Sequence, residues 1–527
     1  VTLRDGAQQE GLTLSVVDKL AIARQLDALG VGFIEGGWPG ANPKDTEFFR
    51  RAASELELTT AQLAAFGSTR RAHTAVEQDP QVAALLNAGT PVITLVAKSH
   101  DRHVELALRT TQQENLAMIA DTVMYLSSQG RRVFLDAEHF FDGYRANPDY
   151  ALAVVEAAAS AGAEAVVLCD TNGGMLPGQI TEILTEVRKH SQARLGIHCH
   201  DDAGCGVANT LAGVAAGATH VQGTANGYGE RCGNANLLTV IANLELKLGH
   251  SVLPPGRLAN LRRTSQVISE ITNLAPNSHQ PYVGASAFAH KAGLHASAVK
   301  IDPMLYQHVD PQLVGNGTRT VISELAGRAS IELRGRELGY DLSNDRSTAT
   351  RVVDRVKELE AKGYTFEAAD ASLELLLRAE IAGSREEYFE VESWRVIIEQ
   401  KAGQPTLSEA TVKLRASGRR IVVTGEGNGP VNALDRALRL ALEQLYPELA
   451  SLHLVDYKVR ILEGVQGTAA VTRVLVQSSD GEREWGTVGV DENIIAASWQ
   501  ALIEAVTYGL TRDGRSHKNA SQPVLLP

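Results

Sequence analysis

Only four cysteines occur in 527 residues: Cys169, Cys199, Cys205 and Cys232, all in the first half. A chain this long builds its core without a disulfide framework, so the four read as free thiols of a reducing cytoplasm. Basic charge is also short. Fifty Lys and Arg stand against 62 Asp and Glu, for a net charge of −12, and no long basic run appears. The positive face that a nucleic-acid backbone requires is therefore missing. No apolar stretch approaches the ~18–20 residues that span a bilayer. No basic-then-apolar leader opens the chain, and the expected location is cytoplasmic. What remains is ordinary globular composition, 44% hydrophobic and 21% charged. At ~100–200 residues per domain, the length suggests two to four domains.

The opening "VTLRDGAQ" begins almost inside a strand. Strands run to ~5–6 residues, so the expectation is a start with a few strand residues missing upstream.

A repeat organises the first half. Gly30, Gly89, Gly162 and Gly217 each close an Ala- or Leu-rich helical pattern and precede a short apolar run. A glycine just past a helix end is the expected C′ residue, and a continuous apolar run reads as a buried parallel strand. These glycines lie about 55–75 residues apart, enough for two strand–helix units of ~30 residues each. The other strands fall between them as "VTLRD", "LAAFGS", "RVFLDAE" and "RLGIHCH". Eight units in roughly 250 residues predict an α/β fold, a (β/α)8 TIM barrel. The alternative is an open Rossmann-like sheet, but no GxGxxG follows the first strand. Ser15 followed by Asp18 is a capping box for the first helix.

The domain reading is a barrel over residues 1–255 and a mostly helical linker subdomain over 256–385. An α+β C-terminal domain for regulation and dimerisation covers 386–511, and a frayed tail covers 512–527. In the C-terminal domain a strand–strand–helix module is read twice. "TGEGNGPVNA" at 424–433 is Gly-rich before a helix, which fits an anion-holding N-terminus or a plain loop equally.

The chemistry gathers at predicted strand ends. In "LGIHCHDDAGCG" the strand period of two points His198 and His200 the same way and Cys199 the other. Barrel strands present functional side chains at their C-terminal ends. Asp5, Glu138, Asp170 with Thr171, and Asn234 in "GERCGNAN" share that position. An Asp/His/His set, completed by Asn or water, suits Zn, Mn, Co or Fe(II), and Mg less well. Arg4 beside Asp5 reads as an anion-binding group or a simple ion pair, and Glu138 as an acid–base group or the partner of Arg4. Asp201 and Asp202 either orient the imidazoles or cap the next helix. Cys199 and Cys232 read as packed thiols.

"TLRDGAQQ", "DTNGG", "HCHDDAG" and "GERCGNAN", in this order, resemble the Claisen-condensing metal enzymes of the 2-isopropylmalate and homocitrate synthase family. "VAKSHDRHV", "ENLAMIADTV", "DAEHFFDGY" and "WGTVGVDENIIAASWQALIEAVTYGL" resemble its longer subgroup. There the oxo acid is pyruvate, and the product, (R)-citramalate, leads to isoleucine. The resemblance runs from residue 1 to about 511. It implies a barrel, a helical linker and a regulatory domain in a homodimer, with acetyl-CoA as co-substrate and isoleucine as an effector. It implies that Asp5, His198 and His200 hold a divalent metal with Asn234 near or on it. Arg4 and Thr171 would hold the oxo acid, and Glu138 would be a catalytic carboxylate. "AHKAGLHASAVKIDPMLYQHV" matches the stretch that enters the partner's mouth in relatives, making His295 a base candidate and Tyr306 its companion. The rival readings are a sibling synthase for another 2-oxo acid, a metal-dependent acyl-CoA lyase, and a metal-binding regulator without catalysis.

Overall fold

The computed structural model describes residues 1–291, 293–320, 328–337, 339–340, 342, 345–385, 387–403, 405–462 and 470–512. They form two compact units. One comprises Val1–Phe288 with Val309–Gly317, and the other Ala289–His308 with the residues from Thr318 onward.

The first unit is a curled parallel sheet wrapped by helices. Its seven strands run in chain order: β1 (Phe33–Glu35), β2 (Gln62–Ser68), β3 (Val92–Lys98), β4 (Arg132–Glu138), β5 (Ala165–Asp170), β6 (Leu195–Cys199) and β7 (His220–Gln222). Every neighbouring pair is parallel. This is the expected TIM-barrel class. Gly30, Gly89, Gly162 and Gly217 all take positive φ, at 105°, 70°, 98° and 109°, and β1, β3, β5 and β7 follow them. A Cβ would resist that left-handed turn, so glycine is what lets each helix end and the chain drop back into the sheet. The Ser15–Asp18 box caps the helix Val16–Leu29 from both sides.

One expected strand is not a strand. In residues 1–5 the N–H groups of Arg4, Asp5 and Gly6 all converge on the Val1 carbonyl, at 3.2, 3.0 and 3.2 Å, which coils the segment instead of extending it. The segment still sits beside β7. The Val1 ammonium donates to the Gly223 carbonyl (3.0 Å), and the Ala225 N–H donates to Thr2 Oγ1 (3.0 Å). Arg4 and Asp5 are thereby carried to the mouth formed by the strands' C-terminal ends.

Nor does the unit stop at 255. The helix Leu261–Thr272 buries Leu261 and Ile268 in the barrel's outer core, and Asn226 donates to the Ser265 carbonyl (3.1 Å) and to Ser269 Oγ (3.1 Å).

The second unit holds two short paired strands, β8 (Ala289–His290) and β9 (Arg319–Thr320), and then a helical stretch. Beyond it lie two antiparallel sheets. The strands β10 (Phe389–Glu399), β11 (Leu407–Ala416) and β12 (Arg419–Gly427) are followed by the helix Pro430–Leu442. The strands β13 (His453–Ile461), β14 (Thr472–Ser479) and β15 (Glu484–Asp491) are followed by the helix Ile494–Arg512. The duplicated module thus has three strands, not two. Both helices share one core containing Leu414, Leu434, Val476 and Leu502. The expected boundary at 385 disappears because the helix Asp370–Ala382 is tied to the last sheet. Asp370 Oδ1 accepts from the Gly486 N–H (2.8 Å), and Ser372 Oγ accepts from the Val488 N–H (3.0 Å). The tail expected at 512–527 lies, from 513 on, outside the described residues. Among the described residues no helix is long and apolar enough to cross a membrane.

Candidate metal and substrate site

Asp5, His198 and His200 meet at the mouth of the barrel, all three buried. Asp5 Oδ2 lies 3.6 Å from His198 Nε2 and 3.8 Å from His200 Nε2, and the three donor atoms fall within 4.8 Å of one another. A second layer sets their protonation. Gln222 Nε2 donates to Asp136 Oδ1 (2.8 Å), which turns Gln222 Oε1 toward His198 Nδ1 at 2.9 Å. His198 therefore carries its proton on Nδ1 and presents the Nε2 lone pair to the Asp5 carboxylate. Burial pushes the imidazolium of His198 down to about 3, and burial lowers His200 as well. Burial alone would raise Asp5, but Arg4, the two histidines and the Asn234 hydrogen bond outweigh it and hold the carboxyl well below the usual range.

Two neutral imidazoles thus face one carboxylate across gaps too long for hydrogen bonds. Acceptors gathered this way repel one another unless a cation lies between them. Asn234 supports that reading. Its Nδ2 donates to Asp5 Oδ1 (2.9 Å) and to the Tyr228 carbonyl (3.1 Å), which leaves its Oδ1 buried without a partner. The donor set fits a divalent ion, because such ligands must be deprotonated and here already are.

Arg4 is embedded among carboxylates. Its Nε donates to Glu35 Oε1 (2.5 Å) and its Nη1 to Asp5 Oδ2 (3.1 Å), while Nη2 lies 4.0 Å from Asp136 Oδ2. Its guanidinium also covers the Phe66 ring at 3.8 Å. Burial opposes the charge, but Glu35, Asp5 and Asp136 carry its pKa upward and keep it cationic. Burial, then the Glu35 carboxylate, push Asp136 up to about 8. Arg4, Asp5, His198, Gln222 and Asp136 close a ring of side chains that links the candidate ligands to the candidate anion-binding group.

Glu138 lines the same cavity, of about 640 Å³, but its partner is Lys98 and not Arg4. Thr171 also lines it, and its hydroxyl accepts from the His139 N–H (2.8 Å). The "DTNGG" turn that carries Thr171 needs glycine at 173. There φ is +63°, and a Cβ would meet Asp202 Oδ2 at 2.4 Å. Asp201 caps the helix Gly206–Ala215 through the Gly206 N–H (2.6 Å), and Asp202 pairs with Arg231 (2.8 Å). The capping alternative therefore holds for Asp201, while Asp202 takes up a third role as the partner of Arg231. Cys199 is buried as expected, whereas Cys232 is exposed and not packed. His295 and Tyr306 belong to the second unit, where their exposed rings stack at 4.2 Å.

Four residues of this site escape the sequence reading: Glu35, Asp136, Gln222 and Lys98. Each lies on the inner face of its strand. Asp136 is two residues back from Glu138, and Lys98 is the parallel-register partner of Glu138.

Residues 1–268 match the family model described as HMGL-like, residues 282–364 the homocitrate synthase post-HMGL domain-like model, and residues 367–510 the LeuA allosteric (dimerisation) domain. The (R)-citramalate synthase of Streptomyces coelicolor is 68% identical over 97% of this chain and 96% of its own. The (R)-citramalate synthase of Synechocystis sp. is 55% identical over 97% of this chain and 95% of its own. Among solved structures, an HMG-CoA lyase from Bacillus subtilis aligns with 52% of this chain and 93% of its own, at 20% identity and a TM-score of 0.45.

Proposed function

This chain belongs to the HMGL-like family and, within it, to the (R)-citramalate synthases, and on that premise we propose that it condenses acetyl-CoA with pyruvate. Hydrolysis of the thioester then gives (R)-citramalate and CoA, on the way to isoleucine. The observation that carries the reading is the Asp5–His198–His200 set with Arg4 beside it in one cavity.

Asp5, His198 and His200 would hold the divalent ion, with Asn234 Oδ1 as a fourth donor, and Zn, Mn, Co or Mg are the candidates. When bound, that ion supplies Lewis-acid polarisation of the oxo acid's ketone. The chain's own residues do the rest. Arg4 stays cationic in the buried floor and offsets charge that develops on the oxo acid. Thr171 contributes a hydroxyl at the same rim. Gln222 and Asp136 hold the His198 ring with its Nε2 lone pair free. Glu138 is a carboxylate whose position Lys98 fixes, and it is available to move a proton. His295, with Tyr306 stacked on it, is the candidate for the base that takes the methyl proton of acetyl-CoA.

The C-terminal modules fit a homodimer that responds to isoleucine. The support is the match of residues 367–510 to an allosteric dimerisation domain. The deciding experiment follows CoA thiol release from acetyl-CoA against a panel of 2-oxo acids, with and without a chelator. The expected result is pyruvate preferred by more than about tenfold, since one methylene in a pocket discriminates ~10–200-fold, and loss of release on chelation. Preference for 2-oxoisovalerate or 2-oxoglutarate would move the chain to a sibling activity.

A further inference from the structure

The condensation places negative charge on two oxygens, that of the ketone and that of the thioester carbonyl. The reading above assigns groups to the oxo acid and none to the thioester oxygen. Lys98 has the position and the chemistry for it. It ends β3 on the inner face, in parallel register with Glu138 at the end of β4. Its Nζ pairs with Glu138 Oε2, and the two side chains are 24% and 25% exposed. Both backbones are locked. Asn115 Nδ2 donates to the Lys98 carbonyl (2.9 Å), and the Ser99 N–H and hydroxyl both donate to the Glu138 carbonyl (3.1 and 2.7 Å). The pair lines the cavity that Arg4, Thr171, His198 and His200 also line.

An ammonium has three N–H donors, and Glu138 is the acceptor that Lys98 Nζ meets among the described residues. Three other cations of the mouth are more fully committed, while Arg71 lines it from an exposed position. Arg4 is paired with Glu35 and Asp5, Arg70 is held by Glu114 and Asp121, and Arg231 by Asp202 and the Thr171 carbonyl. A plain rim ion pair is the alternative, since such pairs contribute little stability.

We propose that Lys98 is a catalytic residue that donates a hydrogen bond to the thioester carbonyl oxygen as it gains enolate charge, with Glu138 fixing the ammonium in place. The inference rests on the synthase reading above. In the step concerned, a base takes a methyl proton of the acetyl group and the C–H electron pair becomes the C=C bond. The carbonyl π pair moves onto oxygen, where Lys98 stabilises it without losing a proton. The C=O bond then re-forms as the methylene carbon bonds to the ketone carbon, whose own π pair moves to its oxygen. Water finally replaces sulfur at the acyl carbon and CoA leaves as the thiol.

The test uses the full-length native protein beside Lys98→Gln, Lys98→Arg and Lys98→Ala. Loss of an oxyanion donor costs ~10²–10³ in rate. Lys98→Gln should therefore lower kcat by about that factor, with the KM for the oxo acid within about threefold and an unchanged Tm. Exchange of the acetyl-CoA methyl protons in D2O should fall with it. Lys98→Arg should retain more activity than Lys98→Gln, and added ethylamine should restore part of the rate to Lys98→Ala. If the Gln variant folds poorly, Lys98→Met replaces it. A kcat for Lys98→Gln within threefold of native overturns the proposal. So does a loss that tracks a lowered Tm and that ethylamine does not relieve. A native protein that releases no CoA with any 2-oxo acid overturns the synthase reading beneath it, which separates the two failures.

Discussion

The two ends of the barrel interior are built from the same strands and have opposite character. At the N-terminal end, Ala64, Val92, Phe134 and Ala165 form an apolar cluster with Phe33, whose ring meets Phe134 edge-on at 5.0 Å, with His220 packed against both rings. One pleat repeat further along β4, Asp136 joins the polar ring with Arg4, and one repeat beyond that Glu138 reaches the rim. The difference lies wholly in which inward position of the strand is occupied. A period of two lets one strand supply a core residue, a buried polar residue and a rim residue in succession. Stability and chemistry are thus separated by about one pleat repeat, ~7 Å.

Three substitutions probe that contrast. The largest effect belongs to the apolar cluster. Phe134→Ala should cost ~3–5 kcal/mol of stability, measured by denaturant unfolding, while CoA release per folded molecule stays within about tenfold of native. A large loss of turnover with intact stability would mean that the two ends are not separable. In the polar layer, Gln222→Leu should weaken metal affinity by ~10–100-fold, read by titration with Mn or Zn. It removes the hydrogen bond that fixes the His198 tautomer and leaves the ligands themselves in place. The smallest effect is a pH slope. Asp136 is pushed up to about 8, against ~3.9 for an unfolded aspartate. Between these values the folded chain keeps a proton that the unfolded chain has lost. The stability present near pH 4 should therefore decline as the pH rises toward 8. Asp136→Asn should flatten that decline in metal-free protein, and an unchanged slope would show that Asp136 is ionised in the fold.

The same contrast explains what was legible in the sequence. Turn glycines and apolar runs announce themselves because each has a local cause, and Gly30, Gly89, Gly162 and Gly217 stand where expected. His198, His200 and Asp5 were legible because they lie at or beside segment ends, where polar residues break an apolar pattern. Glu35 and Gln222 were not, since nothing beside them in the sequence marks their face as the inner one, whereas Asp136 was within reach as the residue two back from Glu138 on the same strand. Lys98 was hidden because its partner is set by register across 40 residues. The opening segment misled because "VTLRD" has strand-like residues, yet three N–H groups gather on the Val1 carbonyl. In β10, "FEVESWRVIIE" turns Phe389, Val391, Trp394 and Val396 onto the core, but a register shift between Val391 and Ser393 breaks the alternation and leaves the stripe only half-buried.

On the function proposed above, Asp5, His198 and His200 jointly grip one divalent ion. Calorimetric titration of chelator-stripped native chain and of Asp5→Ala with the same divalent metal addresses it most directly. One ion should bind per native chain, with binding weakened by more than about 10²-fold in Asp5→Ala at unchanged Tm, a larger loss than a supporting partner causes. Equal affinity in the two proteins would contradict it.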